Sequence, residues 1–184
     1  MFSHATLEFF KSYLNNIPTN YLEIGVYNGE SIKELAVLFP QKTIVGVDPF
    51  IEDGCTSHDS GVRRGESLVA QRQSTLVDIK NYKNIKFFNT TSEQFYADLT
   101  ADLIGELNIG AVYIDGSHWY KDVVIDYNLA LKLLGDKGGA ICFDDLSVDT
   151  PDVLRACDEF VSVCGNRILE RINLTNCNSV FILK

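Results

Sequence analysis

The chain has 184 residues, 46% of them hydrophobic, which is long enough for one domain with a sizeable core and short for two. Its 16 basic against 25 acidic residues leave a net charge of -9, which argues against nucleic acid as a partner, because a phosphate backbone is bound by basic surface. No apolar run is long enough to span a bilayer, so no membrane association is expected, and a small neutral or metal-chelating substrate fits better.

The first residues, MFSHATLEFFKSYL, carry no basic run ahead of an apolar core and no small-residue cleavage site, so a cytoplasmic chain is expected. Leu7, Phe10 and Leu14 recur at helical spacing over 5–15, predicting a short amphipathic helix on the edge of the domain, ended by Pro18. YLEIG (21–25) is a compact apolar strand that turns through Val26, Tyr27, Asn28 and Gly29 into a helix opened by Ser31, with Ile32, Leu35, Ala36 and Phe39 on one face. TIVGV (43–47) is a β-branched strand halted at Asp48 and Pro49. The aperiodic stretch 52–65, rich in Gly, Ser, Asp and His, predicts a surface loop near the site.

A helix is expected over about 66–82, then a strand at 85–89 (IKFFN), then a helix start at Thr90, Thr91 and Ser92 with Glu93 and Gln94 behind them. The run from Ala111 to Leu146 reads as a strand ending in Asp115, a helix ended by Gly138 and Gly139, and a strand ending in Asp144 and Asp145. Thr150 is expected to cap a last helix with Pro151 in its first turn. RILERIN (167–173) and SVFILK (179–184), joined by LTNCN, suit an antiparallel pair. The five cysteines contain no CxxC pair, and their odd number argues for reduced thiols, mostly buried.

The sum is an α/β fold, a three-layer sandwich with a mostly parallel seven-stranded sheet and an antiparallel C-terminal edge hairpin, forming a single domain over 1–184. The glycine turn, Asp48, Asn89 with Thr90, Asp115, and the pair Asp144 and Asp145 all fall at the carboxyl ends of predicted strands, where open α/β sheets bind ligands. Gly25 and Gly29 serve tight geometry alone, or let backbone N–H groups approach a carboxylate or phosphate. Asp48 is a helix cap or a solvated loop acid, or accepts both hydroxyls of a ribose. Asp115, Asp144 and Asp145 satisfy local turns, or converge as oxygen donors for a hard cation such as Mg²⁺, since a zinc site would recruit thiolates or several imidazoles.

These stretches together resemble the class I S-adenosylmethionine-dependent methyltransferases. LEIGVYNGES resembles their first motif, above all in the catechol O-methyltransferase branch, and VGVDPF their second. YIDGSHWYKDVVIDYNLALKLLGDKGGAICFDD is similar to the fourth and fifth, as carried by small bacterial enzymes related to macrocin O-methyltransferase. The resemblance implies a Rossmann-like methyltransferase fold and S-adenosylmethionine as cofactor. Glu23, Gly25, Gly29 and Ser31 would line its methionine end, Asp48 its ribose, and Thr90, Thr91 and Ser92 its adenine. Asp115, Asp144 and Asp145 would be the metal ligands.

The implied reaction is methyl transfer to an oxygen of a small hydroxylated molecule, with Mg²⁺ or another divalent cation lowering the hydroxyl pKa. His118, where the catechol branch has a lysine, is the candidate base, since an imidazole titrates near neutrality; ligating metal or bonding within the loop are its alternatives. Trp119 and Tyr120 read as helix-start packing and His58 as a substrate contact. With little chain before the first strand, the cap over the acceptor is expected from 52–65 or from a second subunit, which keeps a homodimer in view. Two other readings are a non-catalytic S-adenosylmethionine or nucleotide-binding module, and a metal-dependent nucleotide or sugar-phosphate enzyme, for which Arg63 and Arg64 are the available phosphate ligands.

Overall fold

The computed structural model describes residues 2–50 and 68–184. The expected loop 52–65, with His58, Arg63 and Arg64, and the first residues of the helix expected from 66 lie outside that range. In chain order the elements are α1 His4–Asn15, β1 Asn20–Ile24, α2 Glu30–Leu38, β2 Ile44–Val47, α3 Leu68–Ile79, β3 Ile85–Phe88 and α4 Ser92–Asp98. They continue with α5 Ala101–Leu107, β4 Ile109–Ile114, α6 Tyr120–Leu134, β5 Gly139–Phe143, α7 Pro151–Cys164, β6 Ile168–Asn173 and β7 Ser179–Leu183.

The strands form one sheet in the order β3-β2-β1-β4-β5-β7-β6. The first five are parallel, and β7 runs antiparallel to both β5 and β6. This is the three-layer Rossmann-like arrangement expected from the sequence. Side chains alternate across it as the pleat requires. Leu22, Val112, Ile114, Ile141 and Phe143 face a core covered by α6 and α7. Tyr21, Ala111, Tyr113, Ala140 and Cys142 face the other side, beneath α1 and α2. Among the described residues Cys142, Cys157 and Cys164 are buried free thiols and Cys177 is half-buried.

Several local expectations are corrected. The helix α1 does not sit at the edge: Phe10 reaches the middle of the sheet, 5.0 Å from the Tyr21 ring and 6.1 Å from Tyr113. The α2 helix begins at Glu30 behind Gly29, one residue before Ser31. The helix start expected at Thr90, Thr91 and Ser92 is found, with Thr91 capping α4 by accepting the Gln94 amide. The helix α6 stops at Gly135, followed by a short 3₁₀ turn, because Gly138 and Gly139 are needed at the start of β5. A Cβ on Gly139 would stand 2.5 Å from the Gly110 carbonyl oxygen. An additional helix, α5, is capped by Thr100, whose hydroxyl accepts the Leu103 amide.

Candidate active site

The parallel strands β1, β2, β4 and β5 bring their carboxyl ends to one edge, and the predicted polar residues gather there. The strand order reverses direction between β1 and β4, the position at which open α/β sheets bind ligands.

At β1, Glu23 points into the layer under α2 and is only 2% exposed. Tyr21 and Ser31 donate hydroxyl hydrogen bonds to its two oxygens, at 3.1 and 2.5 Å. Burial nevertheless raises its carboxyl to about 7, because the charged form loses more in desolvation than two hydroxyls restore. Ser31 therefore faces Glu23 first and any ligand second.

Gly25 follows with φ +87, and a Cβ there would lie 2.0 Å from the Asp115 carbonyl oxygen. The first turn and the end of β4 are thus pressed backbone to backbone, a contact that glycine alone permits. Gly29 also has positive φ, and its amide closes the turn onto the Val26 carbonyl at 2.8 Å. Asp48 spans the next gap. One oxygen accepts the Val26 and Tyr27 amides at 2.9 and 3.0 Å, and the other accepts Phe50 at 2.9 Å. It braces the end of β2 against the glycine turn, whatever else it holds. Thr90, Thr91 and Ser92 lie at the end of β3, leading into α4.

At β4 and β5 the acids separate into two kinds. Asp115, His118 and Asp145 are half-buried, and each offers one ligand atom, all within 4.8 Å of one another. His118 Nε2 stands 2.8 Å from Asp145 Oδ2, which holds the Asp145 carboxyl below its ordinary range. Asp115 is raised well above that range, by burial first and then by the negative charge of Asp144. Asp144 itself is turned inward. Tyr113 and Asn178 donate to its two oxygens, and the Asp145 amide donates to the second at 2.8 Å. Burial is the leading cause that raises its carboxyl too.

Asp145 has φ +55, an unusual left-handed backbone for an acid, and two later residues keep it there. The Ser147 amide donates to the Asp145 carbonyl at 2.8 Å, and the Thr150 hydroxyl donates to the same oxygen. Thr150 does occupy the cap position of α7, but its hydroxyl serves this turn and not the helix.

Sequence reasoning missed Asn178 and Tyr113. The β5–β7 register explains the first: Phe143 pairs with Ser179, so the residue before β7 meets the residue after β5. Tyr113 was hidden as an ordinary core aromatic, although its spacing of two from Asp115 puts both on one face of the strand. Trp119 stands at the cap position of α6, 43% exposed, beside His118.

A sequence model described as a methyltransferase domain matches residues 22–146, from β1 to just past Asp145. An uncharacterised protein of Acanthamoeba polyphaga mimivirus is 27% identical over 146 residues, which is 77% of this chain and 59% of that protein. The chain thus spans about three-fifths of that relative's length. Among solved structures, the O-methyltransferase NovP has a TM-score of 0.71 at 18% identity, covering 98% of this chain and 80% of NovP. CalS11, a calicheamicin methyltransferase, has a TM-score of 0.66 at 14% identity over 96% of this chain and 76% of its own. The N-methyltransferase NodS from Bradyrhizobium japonicum, in complex with S-adenosyl-L-homocysteine, has a TM-score of 0.56 at 15% identity over 97% of this chain and 85% of its own. At such identities the structures show likeness of fold, and the family rests on the sequence match across most of the chain. The chain belongs to the methyltransferase domain family, among the class I S-adenosylmethionine-dependent methyltransferases.

Proposed function

We propose that this chain transfers a methyl group from S-adenosylmethionine to an oxygen of a small hydroxylated molecule, with a divalent cation such as Mg²⁺ assisting. One observation carries the reading: Asp115, His118 and Asp145 converge within 4.8 Å directly beside the glycine turn, which packs on the Asp115 backbone. The donor cofactor and the acceptor chemistry would then meet at a single edge.

The residues present fit a hard cation. Two carboxylates and an imidazole form the donor set, and negative charge is crowded there: Asp115 is raised by burial and by the charge of Asp144, and Asp144 by burial and by the charge of Asp145. A cation would relieve that crowding. In this reading Asp115 and Asp145 hold the metal, and Asp144 adds charge while fixing Asp145 through its backbone amide. A bound metal would lower the pKa of a chelated substrate hydroxyl. His118, whose Nε2 is held by the Asp145 carboxylate, would take the hydroxyl proton on Nδ1, and the glycine turn would present the methyl donor.

Supporting this reading, NovP is named an O-methyltransferase. NodS, an N-methyltransferase, has a similar fold, so the fold alone does not choose the acceptor atom. Calorimetric titration of S-adenosylmethionine and S-adenosyl-L-homocysteine, with and without Mg²⁺, tests the proposal. Both should bind, and absence of binding by either would sink it.

A second reading of His118, as the third metal donor, is favoured by the same 4.8 Å convergence. His118→Gln separates the two. As a base, its loss should lower kcat by roughly 10²–10⁴-fold with metal affinity kept. If metal affinity falls alongside the rate, His118 is a ligand.

A further inference from the structure

The loops that present His118 and Asp145 each run straight into a helix, His118 into α6 at Tyr120 and Asp145 into α7 at Pro151. Both helices start at the edge that holds the acids and pack on the same face of the sheet. How the two starts are joined therefore bears on how His118 and Asp145 are spaced. The join is made at Tyr120. Trp119, the cap residue of α6, makes no side-chain capping bond to its own helix. The Tyr120 amide instead donates to Asp152 Oδ2 at 3.2 Å, so the open end of α6 is capped from the first turn of α7. Because Asp152 also lies in the first turn of its own helix, one carboxylate serves two helix N-termini, each the positive end of a dipole.

The rest of Tyr120 lies along α7. Arg155 stacks on its ring at 3.9 Å, and its hydroxyl donates to Glu159, which also accepts the Tyr127 hydroxyl at 2.7 Å. Asp152, Arg155 and Glu159 follow at spacings of three and four and so form one stripe of the helix. On the other side the start of α7 holds Asp145. The Val153 amide donates to the Thr150 carbonyl at 3.1 Å, and the Thr150 hydroxyl donates to the Asp145 carbonyl. Bonded paths thus run from Asp152 back to His118 and back to Asp145, and they close at the 2.8 Å contact between His118 Nε2 and Asp145 Oδ2.

We propose that Asp152 is a positioning residue for the candidate active site: by accepting the Tyr120 amide it sets the distance at which His118 meets Asp145. This rests on the metal-assisted reading above and deepens it. Asp152 touches neither the cation donors nor the glycine turn, and it acts through the backbone two residues from the imidazole. A purely structural role would stabilise the contact between α6 and α7 and leave the donor set as it is. A positioning role makes the donor set depend on this one hydrogen bond, because oxygen and nitrogen donors hold a cation only when they converge.

The test is calorimetric titration of Mg²⁺ into the full chain and its variants, with thermal unfolding alongside. Asp152→Ala should bind Mg²⁺ about tenfold more weakly than the wild type. Asp152→Asn, which keeps an oxygen to accept the Tyr120 amide, should bind it nearly as the wild type does. Tyr127→Phe removes a hydrogen bond from the same pair of helices without touching Tyr120, so it should lower the unfolding midpoint and leave Mg²⁺ affinity unchanged. Equal affinity in wild type and Asp152→Ala overturns the proposal, and so does a loss in Tyr127→Phe as large as in Asp152→Ala. Should the alanine variant fail to fold, Asp152→Glu, which keeps the charge but displaces its oxygens by one methylene, is read in its place with the same loss expected. A wild type that binds no Mg²⁺ sinks the metal reading alone. A crystal structure of the Asp152 variant then decides: His118 Nε2 and Asp145 Oδ2 should stand beyond hydrogen-bond reach, and a contact kept at 2.8 Å overturns the proposal.

Discussion

Glu23 carries its carboxyl inside the sheet layer, enclosed by Tyr21 and Ser31, and this makes stability depend on pH in a direction opposite to most acids. Its folded carboxyl titrates at about 7 against an ordinary 4.5, so the folded chain keeps a proton that the unfolded chain has released. Between those values each rise in pH disfavours folding, and the loss is complete above about 7, on the order of 3 kcal/mol. Glu23→Gln should remove that contribution and make the slope shallower, the raised carboxyls of Asp115, Asp126 and Asp144 supplying what remains. Urea unfolding of both proteins across about pH 4.5–7.5 checks it, and parallel slopes would mean Glu23 is not the titrating group. The cofactor turn depends on another single residue, Gly25. Its positive φ and its contact with the Asp115 backbone leave no room for a Cβ. Gly25 was legible as a turn residue from its type, but its partner Asp115 was not, because the two lie ninety positions apart in sequence and meet only through the pairing of β1 with β4.

At the level of elements, the β6–β7 hairpin does more than close the sheet. Its turn returns the chain to the edge that holds the acids, where Asn178 donates to Asp144 while its own side-chain oxygen accepts the Thr175 hydroxyl at 2.5 Å. Asn178→Ala would leave a buried carboxylate oxygen short of a donor, a cost of roughly 1–3 kcal/mol. It should also loosen the backbone that presents Asp145, so metal affinity should fall together with the unfolding midpoint. Calorimetry with Mg²⁺ and thermal unfolding read the two effects, and unchanged metal affinity would confine Asn178 to stability. The long periodic elements were readable from sequence: α6 and the apolar strands around it carry strong patterns, and the acids that end them follow directly. The short α5 was not readable, since seven residues give too few turns for a period, and Thr100 was the one available signal. The inward turn of Asp144 was equally hidden, because it depends on which residue of a distant hairpin sits opposite.

Across the whole molecule, the order β3-β2-β1-β4-β5-β7-β6 puts the reversal of strand order next to β1, so one crevice collects loops from both halves of the sheet. A ligand bridging those halves couples to global unfolding. S-adenosyl-L-homocysteine at a hundredfold excess over its Kd should stabilise the fold by about 2.7 kcal/mol. For a chain of this length that raises the midpoint by roughly 5–10 °C, readable by calorimetric scanning. A midpoint indifferent to the ligand would mean that the folded chain does not bind it at that concentration. None of the described helices is long and apolar enough to cross a membrane, and the fold places its apolar surface in the two layers flanking the sheet.

Trp119 is the chain's single tryptophan, and it stands at the head of α6 beside His118, partly open to solvent. The intrinsic emission of the protein therefore originates almost entirely from the rim of the candidate active site, so arrival of a cation or an acceptor can be followed optically on the native chain, without a dye or an engineered reporter.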